Sequence, residues 1–199
     1  VAVSKTVPVE RLRAAVVAGF RLFGENRVQE AAAKVPEVAG ARWHLVGPLQ
    51  SNKARRAVEL FDAIETVDSV ELAVRLDRIL GALRPESRYP ILLQVNVDRD
   101  PAKAGLDPEA VAWALERISE LARLEVRGLM TIGHLVDEPE AARPTFRALR
   151  RLAERLRRSG LALGPELSMG MTDDFEIAVE EGATLVRIGR AIFGERPAG

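Results

Sequence analysis

The sequence has no cysteine, and this absence excludes several kinds of site at once. Without cysteine, the chain cannot have a disulfide scaffold, a thiolate zinc site or a cysteine nucleophile. It also has no uncharged apolar run long enough to cross a membrane, and its first residues, VAVSKTVPVE, are not typical of a signal peptide. We therefore expect a cytoplasmic protein with no membrane partner.

The chain also has no net charge, and it has little lysine. Its 29 Lys and Arg residues balance 29 Asp and Glu residues, giving a formal net charge of +0. No overall field would hold it on nucleic acid, so we expect no nucleic-acid partner. The lysines are Lys5, Lys34, Lys53 and Lys103, so any chemistry that needs an amine has few candidates.

Short β-branched runs alternate with segments of helical period along the chain. This alternation predicts parallel strands joined by helical crossovers in one domain, residues 1–199. Eight strands suit a closed α/β barrel of the (β/α)8 type, although the pattern alone also permits a doubly wound open sheet. The predicted strands are Val1–Val3, Phe20–Phe23, Arg42–Val46, Ala63–Val67, Ile91–Val97, Glu125–Thr131, Glu166–Met169 and Thr184–Ile188.

Two of the intervening helices carry specific expectations. Ser69 is placed to cap a helix that bears Leu72 and Leu76 on one face. The arginine-rich run Arg147–Arg158 is interpreted as a solvated helix face, with a partner-binding surface as the alternative.

Functional groups of such barrels lie at the C-terminal ends of the strands, and Lys5 directly follows the first one. An amine at the mouth of a barrel has low-dielectric surroundings and reduced hydration. The neutral form, which such surroundings favour, can attack a carbonyl to give a Schiff base. The alternative is a strand-end lysine that extends into solvent.

The segments that follow strands 7 and 8 are typical of a phosphate site. Hydroxyl groups at Ser168 and Thr172 flank Gly170, and Gly189 stands at the next strand-to-helix turn. Glycines allow a ligand to approach the backbone, and helix N-termini present free N–H groups. The alternative is that Thr172 caps a helix and that Met169 and Met171 fill the core.

Other polar residues near strand ends are less specific. Arg187 alternates with apolar residues in strand 8, which indicates a ligand or carboxylate in the barrel mouth or a structural ion pair. Asn26 could donate to an aromatic hydroxyl oxygen or cap the next helix. His44 is interpreted as a core histidine, and His134 has no partner at metal-ligand spacing, so we expect no metal.

Taken together, the motifs closely resemble the pyridoxal phosphate homeostasis protein family, also called the YggS/PROSC family. A lysine after strand 1 and a phosphate site after strands 7 and 8 suit pyridoxal 5′-phosphate (PLP). The resemblance covers essentially the whole chain. The matching segments are VAVSKT at 1–6, FGENRVQE at 23–30, WHLVGPLQSNK at 43–53, GLMTIG at 128–133, SMGMTDD at 168–174 and RIGRAIFG at 187–194.

The resemblance implies a single barrel like the N-terminal domain of alanine racemase, the type III fold of PLP proteins. Lys5 would form the covalent aldimine, and Arg187 would face the pyridine nitrogen and keep it unprotonated, which weakens the ring as an electron sink. Two departures from the family pattern, Arg27 in place of an aromatic residue and Thr172 in place of serine, do not change the expectation of PLP binding. The remaining expected cofactor contacts are Asn26, Ser168, Met169, Gly170, Thr172, Gly189 and Arg190.

The sequence also favours a carrier over an enzyme. Racemases of this fold use a second base, typically a tyrosine from a second domain, whereas Tyr89 precedes the fifth strand at the opposite end of the barrel. We therefore expect a PLP carrier that protects or delivers the cofactor and influences vitamin B6 and amino-acid balance. The alternatives are a PLP-dependent racemase, lyase or transaminase, and a regulatory protein that signals its PLP occupancy to a partner.

Expected partners are PLP, PLP-dependent apoenzymes or a regulatory protein, and we expect a monomer. The chain begins on strand 1, whereas family members carry a helix before it. We therefore expect seven helices between the strands and a gap in the ring, as in a barrel that lacks its N-terminal helix.

Overall fold

Eight parallel strands form one sheet in chain order, β1 to β8, in the computed structural model, which describes residues 1–134 and 136–194. The sheet closes between its first and last strands through two backbone hydrogen bonds. The Val3 N–H donates to the Ile188 carbonyl at 2.7 Å, and the Ile188 N–H donates to the Val1 carbonyl at 2.9 Å. The barrel prediction is confirmed, and the open-sheet alternative is wrong. The strands are β1 Ala2–Val3, β2 Leu22–Glu25, β3 Arg42–Leu45, β4 Ala63–Val67, β5 Tyr89–Gln94, β6 Leu124–Met130, β7 Glu166–Met171 and β8 Leu185–Arg187.

Helices connect each strand to the next, as the right-handed crossovers of a parallel barrel require. Within the described residues, seven α-helices lie between strands, as expected, and a four-residue helix follows β8. The helices are α1 Val9–Val17, α2 Val28–Lys34, α3 Ala54–Leu60, α4 Val70–Leu83, α5 Val111–Ser119, α6 Arg143–Arg158, α7 Phe175–Glu180 and α8 Arg190–Phe193. None of the helices in these ranges is long and apolar enough to cross a membrane.

Local sequence explains where individual helices begin and which face they bury. The Ser69 hydroxyl accepts the Leu72 N–H at 3.3 Å, so the predicted cap of α4 is confirmed. Leu72 and Leu76, one turn apart, are both buried against the sheet. On α6, the Arg147 and Arg150 guanidinium groups pair with Glu181 after α7, so part of the face predicted to be solvated joins two helices instead.

One difference from the predicted boundaries, at β7, matters for the site. The prediction ends this strand at Met169, but the strand continues to Met171. Gly170 has a φ of +89°, and its missing Cβ would lie 2.4 Å from the Ala178 Cβ of α7. A register shift against β8 between Ser168 and Met171 accompanies this conformation. The end of β7 therefore presents Met171 and Thr172 to the barrel mouth.

Candidate functional site

A cavity of about 640 Å³ opens at the C-terminal end of the barrel. Residues that follow several different strands contribute to its wall, which is the arrangement expected of a site in this fold. Six of the nine residues predicted from the sequence line it, namely Lys5, Asn26, Thr172, Arg187, Gly189 and Arg190.

The other three predicted residues, Ser168, Met169 and Gly170, do not line the cavity. Ser168 is fully buried, and its hydroxyl is engaged by neighbouring protein groups. Met169 is fully buried in the hydrophobic core, as the alternative interpretation of the segment proposed. Gly170 packs against α7. The physical reason is the longer β7, which moves the rim of the barrel two residues along the chain.

Arg187 lines the cavity and is only 6% exposed. Its guanidinium donates to the Ser168 hydroxyl at 2.7 Å and to the Thr131 carbonyl at 2.8 Å. Burial lowers the pKa of Arg187, and the nearby carboxylates of Glu65 and Asp174 counter that effect in part. The guanidinium is thus held in one orientation by protein groups while still contributing to the cavity wall.

A polar chain continues from Arg187 into the barrel interior. The Ser168 hydroxyl donates to Glu65 Oε2 at 2.5 Å, and His44 Nδ1 lies 2.6 Å from Glu65 Oε1. Burial acts to raise the pKa of Glu65, but the His44 contacts, the Arg187 charge and the Ser168 hydrogen bond together hold it below its ordinary value. His44 is therefore a partnered interior histidine, as predicted.

Glu65 is a residue that the sequence reasoning missed. It lies in β4, where every residue is buried, and it is 0% exposed. The signal was available, because a charged residue in an otherwise apolar strand is costly unless it is paired. The same cost applies to Arg187 in β8.

The loops after β7 and β8 approach each other at the mouth of the cavity. The Gly189 N–H lies 3.4 Å from the Thr172 hydroxyl oxygen, and Arg190 pairs with Asp173. The N-cap residue of α7 is Asp174, and its carboxylate accepts a hydrogen bond from the Met171 N–H at 2.6 Å. Thr172 is therefore not the cap of that helix, and its side chain contributes to the cavity wall.

Lys5 is half-buried and belongs to a tight turn directly after β1. The Val7 N–H donates to the Ser4 carbonyl at 3.0 Å, which closes the four-residue turn around Lys5 and Thr6. Lys5 and Arg187 thus line one and the same cavity.

Tyr89 lies where the sequence predicted. It is the first residue of β5, at the N-terminal end of the barrel, and it does not line the cavity. Its hydroxyl donates to the Phe61 carbonyl at 2.8 Å, and burial raises the pKa of Tyr89 well above its ordinary value. The group is fixed by the core and is remote from the wall that contains Lys5.

His134 lies beside two aspartate side chains. Its ring nitrogens lie 3.7 Å from Asp98 and 3.5 Å from Asp100 in an exposed position. No group of three or more His, Cys, Asp or Glu side chains within residues 1–134 and 136–194 is arranged to hold a metal ion.

Comparison with known proteins places this barrel in a family. Residues 2–197 match the model of the alanine racemase N-terminal domain. The pyridoxal phosphate homeostasis protein of Aquifex aeolicus is 40% identical over 97% of this chain and 85% of its own length. That of Pseudomonas aeruginosa is 44% identical over 100% of this chain and 84% of its own length.

Solved structures give the same assignment. PipY of Synechococcus elongatus with PLP bound has a TM-score of 0.89 and 45% identity over 98% of this chain and 91% of its own. An alanine racemase of Clostridium difficile, at 14% identity and a TM-score of 0.77, covers 96% of this chain and 48% of its own, and it shares the fold. The chain therefore belongs to the alanine racemase N-terminal domain family and, within it, to the pyridoxal phosphate homeostasis proteins.

Proposed function

We propose that this protein binds PLP through Lys5 in the cavity at the barrel mouth and acts in PLP homeostasis as a carrier without turnover of its own. The observation that carries the proposal is the presence of Lys5 and the buried Arg187 in the wall of one cavity. PLP supplies an aldehyde that condenses with an amine, a phosphate and a pyridine ring, and each finds a suitable group in this wall.

The residues present fit the chemistry of PLP. Lys5 supplies the amine, and Arg187 presents a cation that donates hydrogen bonds and accepts none, which suits an unprotonated ring nitrogen. In the same wall, the Thr172 hydroxyl, the Gly189 backbone and the Arg190 guanidinium are donors suited to a phosphate. Asn26 completes the proposed set as a donor to the ring hydroxyl.

Two features favour a carrier over a racemase, lyase or transaminase. Racemases of this fold typically use a tyrosine as their second base, but Tyr89 lies at the other end of the barrel and does not line the cavity. The relatives reported above are named for homeostasis of PLP. We propose that the protein binds PLP reversibly and releases it to other proteins, with PLP-dependent apoenzymes as the recipients.

An absorbance titration with PLP tests the binding proposal. We expect a visible band typical of lysine-bound PLP in the parent protein, its loss in Lys5→Ala, and its retention in the matched variant Lys53→Ala, since Lys53 lies outside the cavity. A band of unchanged position and intensity in Lys5→Ala would overturn the assignment. Amino-acid turnover above that of Lys5→Ala would favour the enzyme alternative.

A further inference from the structure

The turn that contains Lys5 is held by a group of polar residues that lies behind the cavity wall. Lys34 of α2 is only 7% exposed, and its ammonium group donates to the Ser4 carbonyl at 2.7 Å, to Glu25 at 2.7 Å and to Glu30 at 2.6 Å. These contacts use the full donor capacity of the ammonium group. None of these residues lines the cavity.

The same group contacts the chain on both sides of Lys5. Before Lys5, the Ser4 carbonyl accepts from Lys34, and the Ser4 hydroxyl donates to Glu25 Oε1 at 2.7 Å. After Lys5, the Thr6 N–H donates to Glu30 Oε1 at 2.5 Å. The two peptide groups that flank Lys5 are therefore bonded to side chains that are themselves joined by an ion pair.

The backbone at Thr6 shows why such support is needed. Thr6 has a φ of +65°, in the left-handed region that a β-branched residue rarely adopts. It occupies the third position of the turn, where glycine is favoured when φ is positive. Such a conformation persists only where neighbouring contacts enforce it, and the Glu30 carboxylate accepts the N–H of this residue.

We propose that Lys34 and Glu30 are positioning residues for Lys5, which hold the strained turn so that the lysine amine stays directed into the cavity. Glu30 is also held ionised for this contact. Burial opposes this, but hydrogen bonds from Lys34 and Thr6 hold the pKa of Glu30 below its ordinary value. The inference rests on the proposed role of Lys5 in binding PLP.

Glu30→Ala tests this inference. In the PLP-free protein we expect faster amide hydrogen exchange at Thr6. With PLP, we expect formation of the Lys5 band to weaken about tenfold or more, the loss typical of one charged hydrogen bond. Glu30→Gln keeps an oxygen that can accept the Thr6 N–H, so it should recover much of both properties. Glu181→Gln, which removes a paired carboxylate between α6 and α7, is the control for the loss of a paired carboxylate elsewhere in the barrel and should change neither.

A double-mutant cycle separates positioning from general stability. In a Thr6→Gly background the positive φ carries little strain, so Glu30→Ala should cause a clearly smaller loss of PLP binding than it does beside Thr6. Equal losses in both backgrounds, or wild-type exchange and binding in Glu30→Ala, would overturn the inference while leaving the proposed function intact. Absence of a Lys5-dependent band in the parent protein would instead refute the proposed function.

Discussion

Replacing Glu65 by glutamine should strongly destabilise the barrel. Glu65 is fully buried, accepts a hydrogen bond from Ser168 at 2.5 Å and lies 2.6 Å from His44 Nδ1. Through Ser168 it also compensates the charge of Arg187, which is itself buried. Glutamine keeps the shape but removes the negative charge, leaving the guanidinium with no carboxylate in this polar chain.

The expected cost follows from that loss of compensation. Leaving a buried charge without its compensating partner, as when one member of a buried ion pair is removed, costs about 3–5 kcal/mol. For a chain of 199 residues, each kcal/mol lowers Tm by about 2–4 °C, so Glu65→Gln should lower Tm by about 6–20 °C. Urea unfolding, monitored by circular dichroism, gives the change in the free energy of unfolding independently. Glu59→Gln, at an exposed position on α3, is the matched control and should stay within about 0.5 kcal/mol of the parent.

A second substitution identifies the cause of the cost. If the penalty comes from an uncompensated Arg187, adding Arg187→Met to Glu65→Gln should restore part of the lost stability, with a coupling of about 1–3 kcal/mol. A Glu65→Gln protein within about 1 kcal/mol of the parent, or strictly additive losses in the double variant, would refute the reasoning.

Three further predictions concern other parts of the barrel. Hydrogen bonds from Arg147 and other α6 arginines lower the pKa of Glu181 to about 2. The contribution of Glu181 to the free energy of unfolding is therefore present above the ordinary pKa range of glutamate and is lost as the pH falls toward about 2. The difference in urea stability between the parent protein and Glu181→Gln should shrink over the same pH range. Ser69→Ala removes the α4 cap and should cost about 1 kcal/mol in thermal unfolding. Gly47→Ala would place a Cβ 2.4 Å from the Asn26 carbonyl oxygen, so we expect a loss of about 1–3 kcal/mol and weaker PLP binding by titration.

The alternation of strands and helices was readable from the sequence because each element has its own hydrophobic period. All eight strands lie within a few residues of their predicted positions. Errors arose where the chain changes direction. The prediction starts β2 at Phe20, but Gly19 adopts a φ of +102° and Phe20 remains partly exposed, so the strand begins at Leu22.

The candidate site was predicted less completely, because side-chain direction depends on register. Ser168 and Thr172 look equivalent in the sequence, but the irregular backbone at Gly170 separates them, with Ser168 bonded inside the barrel and Thr172 at the cavity. In the sequence, Lys34 stands out only as one of four lysines. Its role beside Lys5 depends on contacts between α2 and the end of β1, which no local pattern reveals.

The most direct test of the central claim is to reduce the PLP-loaded protein with borohydride and map the modified peptide by mass spectrometry. The chain has four lysines, at positions 5, 34, 53 and 103, so the assignment is simple. We predict that the pyridoxyl group is found on Lys5, with no more than trace labelling elsewhere. A label mainly on Lys34, Lys53 or Lys103, or no label at all, would contradict the account.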